Sequence, residues 1–235
     1  MPEHHRTATR TGRRRFLGAL LGLGLYGLLS ARVLAALEES GANARLMASM
    51  RRLYGEAGVE RLRQWFALEA RLADGPVERQ LKEINDFFNR SALWRDDFET
   101  NGVGDHWATP LETLGEGRAD CEDYTIAKYI ALRRLGIGDA RLRLIYVRAR
   151  IGRAGEPIAH MVLGYFTAPN TEPLILDNII AAIRPASERN DLTPVFSFNS
   201  EGLWAGSSPR SRADPLARLS RWRDVIERMR QQGFE

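Results

Sequence analysis

The chain has 235 residues, enough for one substantial domain, and its 44% hydrophobic content is ordinary for a globular protein. Its formal net charge of +4 originates at one end of the chain. Residues 1–35 hold six arginines and one acid, and subtracting these from the totals of 34 basic and 30 acidic residues leaves 28 and 29. The remainder is close to neutral. Charge therefore gives little support to a nucleic-acid-binding protein, and we expect no nucleic-acid partner.

The first 35 residues have the layout of an export signal. A charged segment that ends at Arg15 precedes an apolar run over residues 17–29, which is short for a membrane span and typical of a signal core. Small residues allow cleavage before Ala36, and the paired arginines also fit a twin-arginine signal, with an uncleaved anchor as the alternative. We therefore predict an export signal over residues 1–35 and one domain over residues 36–235, located in the periplasm.

Apolar residues at helical spacing predict helices in the first third of the domain. One covers residues 36–58, a better defined one covers 59–72, and a third begins at Pro76 and ends near Asn89, because the first helical position does not need the N–H that proline lacks. Residues 90–118 are predicted to form a loop, being rich in Asp, Asn and Gly. We expect three aromatic residues to anchor this loop in the core: Trp94, Phe98 and Trp107.

The only cysteine of the chain, Cys121, stands where this loop gives way to a helix that ends at Gly136. At a helix N-terminus the macrodipole and the free main-chain N–H groups favour a thiolate, so a cysteine there is well placed as a nucleophile. For a lone cysteine the simpler interpretation is a small buried residue on a packed helix. Export favours the first interpretation, because an unpaired thiol is unusual where disulfides form.

Short apolar strands follow the cysteine helix, and the first two are expected to form a hairpin. The order of helices, then the cysteine helix, then antiparallel strands predicts an α+β fold. A charged helix over residues 215–231 ends the chain. We expect strands over five segments: 142–147, 158–166, 174–177, 195–198 and 203–204. We expect the arginines of the last helix to lie on a solvated face: Arg218, Arg221, Arg223, Arg228 and Arg230.

Two residues on successive predicted strands could serve Cys121 as catalytic partners. His160 lies within an apolar strand and Asp177 ends the next one, so a meander would place both on one face of the sheet. In such a triad the cysteine attacks a carbonyl carbon, the histidine takes and returns the proton, and the aspartate sets the histidine tautomer. His106 is interpreted as a loop residue near the site, because its spacing from Cys121 does not fit a zinc site.

Four segments together resemble the bacterial transglutaminase-like cysteine proteinases of the periplasmic LapG type. The acidic run of residues 120–123 is the most specific part, while Ala119 stands where family members often carry glycine. The resemblance implies a papain/transglutaminase-like fold in which a helical layer and the nucleophile helix pack on an antiparallel sheet. The resemblance is carried by residues 105–112, 117–129, 160–163 and 176–178.

The resemblance also implies an activity. A family member would be a calcium-dependent periplasmic endopeptidase, and its catalytic residues would map onto Cys121, His160 and Asp177. Its substrate would be a large repeat adhesin, cut near the N-terminus to release a biofilm. An inner-membrane receptor for cyclic di-GMP would be the inhibitory partner.

Three acids surround the cysteine: Asp120, Glu122 and Asp123. Negative charges beside a thiol raise its pKa, so a bound cation would explain the cluster, and carboxylates on a loop–helix junction suit Ca²⁺. The calcium dependence that the resemblance implies maps onto Asp120 and Glu122, with Asp123 as a further ligand. The alternative is helix capping, with Asp120 as the cap and the other two as first-turn acids.

Two other functions remain open on the same residues. A transglutaminase or amidase acting on cell-envelope substrates would use the same triad, because the acyl-enzyme is the same and only the acceptor differs. A non-enzymatic module that docks a membrane receptor is the third possibility, and the intact triad argues against it.

Overall fold

The computed structural model describes residues 41–95, 106–150, 152, 155–168, 171–206, 211 and 213–234. The predicted export signal and Phe98 lie outside these residues. In the part of the chain that is described, no helix is long and apolar enough to cross a membrane. The helices are α1 (Gly41–Leu72), α2 (Val77–Ser91), α3 (Pro110–Glu116), α4 (Cys121–Arg134), α5 (Pro215–Arg218) and α6 (Ser220–Gln232). The strands are β1 (Leu93–Trp94), β2 (Arg118–Ala119), β3 (Leu142–Arg150), β4 (Pro157–Tyr165), β5 (Leu174–Leu176), β6 (Arg184–Pro185), β7 (Leu192–Phe198) and β8 (Leu203–Ala205).

The predicted α+β architecture is confirmed. The first third is helical, and the two predicted helices that meet near residue 58 form α1, which is kinked at Gly55 where φ is 65°. A positive φ is available to glycine at little cost, so the chain can change direction there without ending the helix. Pro76 caps α2 from outside rather than forming its first residue.

The sheet is a six-stranded antiparallel structure in the order β6-β5-β4-β3-β7-β8. Strands β3, β4 and β5 form a meander, with Val147 opposite His160 and Leu163 opposite Leu176. Because antiparallel partners share a face, the end of β5 lies diagonally across from His160. This register brings the residue after β5, Asp177, next to the histidine.

Helix α4 is almost entirely buried between the helical layer and the sheet. Ten of its residues are buried, and Tyr129 packs edge to face against Trp222 of α6 at a centroid distance of 5.9 Å. The hydroxyl of Thr125 donates to the main-chain oxygen of Met161 in β4 at 3.0 Å. These contacts hold the start of α4 beside the middle of β4, as expected for a nucleophile helix packed on a sheet.

The prediction of a loop over residues 90–118 holds for residues 106–109 but is wrong for residues 110–116, which form α3. The helix α3 begins with a capping box in which the Thr109 hydroxyl accepts from the Glu112 main chain and the Glu112 carboxylate accepts from the Thr109 N–H. Pro110 at the first helical position adds a second start signal. Strands β1 and β2 also pair here in parallel.

Two side chains in and around this segment differ from their predicted environments. Trp107 is buried and stacks on Phe198, as an anchor should, but Trp94 is 64% exposed and lies outside the core formed by the described residues. Arg228 is not on a solvated face, because its guanidinium donates to the Glu112 carboxylate at 3.0 Å and to the Trp107 carbonyl. This arginine joins α6 to α3.

Candidate active site

The start of α4 places the thiol. Asp120 is the N-cap, and it forms a capping box with Asp123. The predicted junction between loop and helix therefore lies at Cys121, which is the first helical residue and is partly buried. The first N–H groups of a helix have no intrahelical acceptor, so this position offers main-chain donors close to the sulfur.

The thiol is in contact with an acid and with the main chain of β4. Its Sγ donates to Glu122 Oε2 at 2.7 Å, and a hydrogen bond from the Met161 main chain favours the thiolate. Burial raises the pKa of the Cys121 thiol far above its usual range, and the charges of Glu122 and Asp120 raise it further. The helix N-terminus is therefore outweighed by burial and by the acids, and the thiol is protonated as it stands.

His160 and Asp177 form a buried hydrogen-bonded pair. Nε2 of His160 lies 2.9 Å from Oδ1 of Asp177, and neither residue is more than 2% exposed. An ionised carboxylate only accepts, so the proton of the neutral ring lies on Nε2 and Nδ1 is the basic nitrogen. The thiol lies beside Met161, the residue that follows His160. The structure thus gathers all three predicted residues into one region.

Asp177 is held as a carboxylate. Burial would raise its pKa, but hydrogen bonds from His160 and from the Ile179 main chain, together with Arg189, outweigh burial and keep the pKa well below its usual range. Arg189 Nη2 lies 2.7 Å from Asp177 Oδ2. The sequence analysis did not identify this arginine, since it follows an irregular segment with no periodic pattern.

Lys128 is a second residue that the sequence analysis did not identify. Its side chain is 1% exposed on α4, and burial lowers its pKa to about 7, with Asp177 and Asp86 opposing the shift. Three side-chain amide oxygens near the segment that follows β5 are buried without a partner among the described residues: Oδ1 of Asn85, Asn89 and Asn178. The back of the His160–Asp177 pair is therefore polar and enclosed.

The three acids around the cysteine have different roles in the structure. Both carboxylate oxygens of Asp123 accept main-chain N–H groups, from Ala108 at 2.7 Å and from Asp120 at 3.3 Å. Asp123 thus has the geometry of the capping alternative. Within the described residues, no group of three His, Cys, Asp or Glu side chains could hold a metal ion.

Asp120 and Glu122 still fit a hard cation. Their carboxylates flank the thiol and supply oxygen ligands, and their charge adds to burial in raising the pKa of the thiol. A cation here would need further oxygens from the main chain or from water, as is common for Ca²⁺. His106 lies outside this cluster, because its Nε2 is 3.6 Å from Glu112 Oε2, and interaction with that carboxylate raises its pKa.

One cavity adjoins the His160–Asp177 pair, and a second lies beyond Arg189. The smaller, about 260 Å³, is lined by both of these residues together with Arg189 and Asp191. The larger, about 440 Å³, lies over apolar side chains of the sheet and shares Arg189 and Leu192 with it. Cys121 lines neither, so these cavities lie behind the pair rather than at the thiol.

A cysteine at the start of a buried helix, beside a histidine–aspartate pair on an antiparallel meander, defines a papain/transglutaminase-like protein with a thiol site. The family model of the bacterial transglutaminase-like cysteine proteinases, BTLCP, matches residues 67–192. No match is found among curated protein sequences. The chain belongs to the bacterial transglutaminase-like cysteine proteinases, as the resemblance predicted.

Solved structures of Legionella pneumophila LapG are similar to this chain over most of its length. The EGTA-treated form is 34% identical with a TM-score of 0.69, and covers 80% of this chain and 97% of its own. An untreated form is 34% identical with a TM-score of 0.68 and the same coverage. The calcium-bound form is 35% identical with a TM-score of 0.66, covering 78% and 97%. A relative with this fold therefore binds calcium.

Proposed function

We propose that this protein is a cysteine endopeptidase that uses Cys121, His160 and Asp177 as its catalytic triad. The observation that carries the proposal is the buried hydrogen bond between His160 and Asp177 at 2.9 Å, beside the cysteine at the first position of α4. Membership of a cysteine proteinase family supports hydrolysis of a peptide bond as the reaction.

In the acylation step, His160 Nδ1 takes the thiol proton while Sγ forms a bond to the scissile carbonyl carbon. The main-chain N–H of Cys121 is placed to donate to the resulting oxyanion, because it lies at the first helical position. The tetrahedral intermediate collapses, the C–N bond breaks, and the leaving amine takes the proton from the imidazolium. Asp177 stabilises that imidazolium and sets the ring orientation.

In the deacylation step His160 again acts as a general base, this time toward water. Nδ1 takes a proton from a water molecule whose oxygen bonds to the acyl carbon. The C–S bond then breaks, and the proton returns to the sulfur. Products are a carboxylic acid, an amine and the free enzyme, so no further reactant is required.

We propose that Asp120 and Glu122 hold a calcium ion that activates the protein. A bound Ca²⁺ would neutralise the carboxylate charge that disfavours the thiolate. Glu122 accepts the hydrogen bond of the thiol in the structure, in competition with His160 for the thiol proton. The existence of calcium-bound and EGTA-treated forms of the Legionella protein supports this part of the proposal.

We further propose a periplasmic location, a large repeat adhesin cut near its N-terminus as substrate, and restraint by an inner-membrane cyclic di-GMP receptor. The N-terminal sequence supports the location, and the resemblance to the LapG type is the basis for the substrate and the receptor. Cleavage of the adhesin would release it from the cell and detach a biofilm.

The test is incubation of the purified domain, residues 36–235, with an N-terminal fragment of a repeat adhesin. We expect one cleavage in the presence of Ca²⁺, none with excess EGTA, and none with Cys121→Ala. Full activity in EGTA would contradict the proposal that calcium activates the protein. Incorporation of an added amine in place of hydrolysis would instead favour the transglutaminase alternative.

A further inference from the structure

The second oxygen of Asp177 leads to a buried arginine. Arg189 Nη2 donates to Asp177 Oδ2 at 2.7 Å, while its Nε and Nη2 donate to the two oxygens of Asp191 at 2.9 and 2.7 Å. Arg189 is 3% exposed. The four side chains form one continuous hydrogen-bonded row, from His160 through Asp177 and Arg189 to Asp191.

Both oxygens of the catalytic carboxylate accept hydrogen bonds. Oδ1 of Asp177 accepts from His160 and from the Ile179 N–H at 3.0 Å, and Oδ2 accepts from Arg189. A carboxylate anchored on one oxygen can rotate about its terminal bond, whose torsional preference is broad. Anchors on both oxygens fix its plane and therefore the direction in which it accepts from the imidazole.

The main chain around Arg189 is itself tied to the sheet. The Leu192 N–H donates to the Arg189 carbonyl at 3.0 Å, and the Arg150 N–H donates to the Asp191 carbonyl at 2.9 Å. The guanidinium is thus carried by a segment bound to the edge of β3. Because this segment is fixed to the sheet independently of Asp177, the guanidinium can hold the carboxylate in place.

Stability alone does not account for this arrangement. Nη1 of Arg189 is buried and has no acceptor among the described residues, and a buried donor without an acceptor is destabilising. Replacing a buried ion pair by well-packed apolar residues is often neutral or stabilising. A buried and incompletely satisfied arginine in contact with the catalytic aspartate points to a role in the site.

We propose that Arg189 is a positioning residue that clamps Asp177 in the orientation from which it accepts the His160 Nε2–H. The inference rests on the proposed function, because the orientation matters only if His160 serves Cys121. The planar guanidinium of arginine can donate to Asp177 and Asp191 at once. The ammonium of a lysine can rotate, so its N–H donors are not fixed in direction.

The experiment uses two readouts that need no adhesin substrate, and both are measured in the presence of Ca²⁺, because without it the thiol donates to Glu122. The first is the imidazole N–H proton signal of His160, which a buried carboxylate moves downfield and protects from exchange; His160→Gln assigns it among the four histidines. The second is the rate at which iodoacetamide alkylates Cys121, the only thiol of the chain. Both are measured well below the melting temperature of each variant.

Three variants separate positioning from stability. We expect Arg189→Met to lose the downfield signal and to alkylate about tenfold more slowly, and Arg189→Lys to keep the signal with an intermediate rate, since it retains the charge. Arg134→Met is the matched control, because Arg134 forms a two-point pair with Glu69 of similar geometry at the other end of α4. It should leave both readouts unchanged.

Two outcomes would overturn the inference. The first is a wild-type signal and alkylation rate in Arg189→Met. The second, decisive if that variant does not fold, is wild-type behaviour of Arg189→Lys in both readouts. A failure of the proposed function is separate, because it would show as intact readouts in the wild type with no cleavage of the adhesin fragment.

Discussion

The two ends of helix α4 differ in how their charged side chains are partnered. At the C-terminal end, Nη2 of Arg133 lies 3.0 Å from Oδ2 of Asp139, and Nε of Arg134 lies 2.9 Å from Oε1 of Glu69. Both cations therefore lie near the negative end of the helix dipole, and each has an acidic partner. At the N-terminal end, acids flank the thiol. The Glu122 carboxylate accepts a hydrogen bond from that thiol.

The difference separates stability from chemistry. Paired charges at the C-terminal end join α4 to α1 and to the turn before β3, and nothing there needs to change during a reaction. At the N-terminal end burial raises the pKa of the Cys121 thiol, and the acids, although favourable to the helix dipole, raise it further. Acids that disfavour the thiolate are expected in a protein that becomes active only when a ligand is bound.

The largest effect is expected from the catalytic histidine. His160→Gln removes the group that takes the thiol proton and should lower kcat/KM for cleavage of the adhesin fragment by about 10²–10⁴-fold. His106→Gln is the matched control, because His106 contacts Glu112 and not the thiol, and it should retain activity. Equal losses in the two variants would argue against the triad.

The next effect concerns calcium at the N-terminal end. With Ca²⁺ at 100 times its Kd, the wild type should gain about 2.7 kcal/mol, or a Tm rise of about 5–10 °C. Glu122→Gln is nearly isosteric and should lose most of that rise, while Glu227→Gln on the exposed side of α6 should keep it. A full rise in Glu122→Gln would place the ion elsewhere.

Much of this site could be predicted from local pattern. The apolar runs predicted β4 and β5 to within one residue at each end, so a meander that brings His160 close to Asp177 could be predicted from the order of the strands. The start of α4 was equally predictable, since Asp120 precedes the first apolar helical residues. The signal for α3 was also present, in Thr109 and Glu112 at capping-box spacing with Pro110 between them, and the high polar content of the surrounding segment concealed it.

The remainder depends on tertiary contacts that no local pattern carries. Lys128 lies on a helix whose surroundings are buried on nearly every side, and only the packing of α2 and β4 shows that its ammonium is enclosed. Arg189 lies in a polar stretch that would ordinarily be placed at the surface. The inward turn of its guanidinium is set by Asp177, twelve residues earlier.

A third effect lies midway along α4. Burial lowers the pKa of Lys128 to about 7, against an ordinary value near 10.4 in the unfolded chain. Between these values the unfolded state binds more protons, so folding becomes more favourable as pH rises from 7 to 10. Urea unfolding should show the wild type gaining stability relative to Lys128→Met over this range. Parallel stability curves would mean that the lysine is not desolvated.

The smallest effect distinguishes a structural acid from a ligand at the N-terminal end. Asp123→Asn keeps one acceptor and loses the charge that receives two main-chain N–H groups, so it should cost about 1 kcal/mol in urea unfolding. Arg134→Met at the other end should cost no more than about 1 kcal/mol, because its pair with Glu69 is partly exposed. Both variants should keep the calcium-induced rise in Tm. Its loss in Asp123→Asn alone would make Asp123 a calcium ligand and would reverse the assignment of this residue to helix capping.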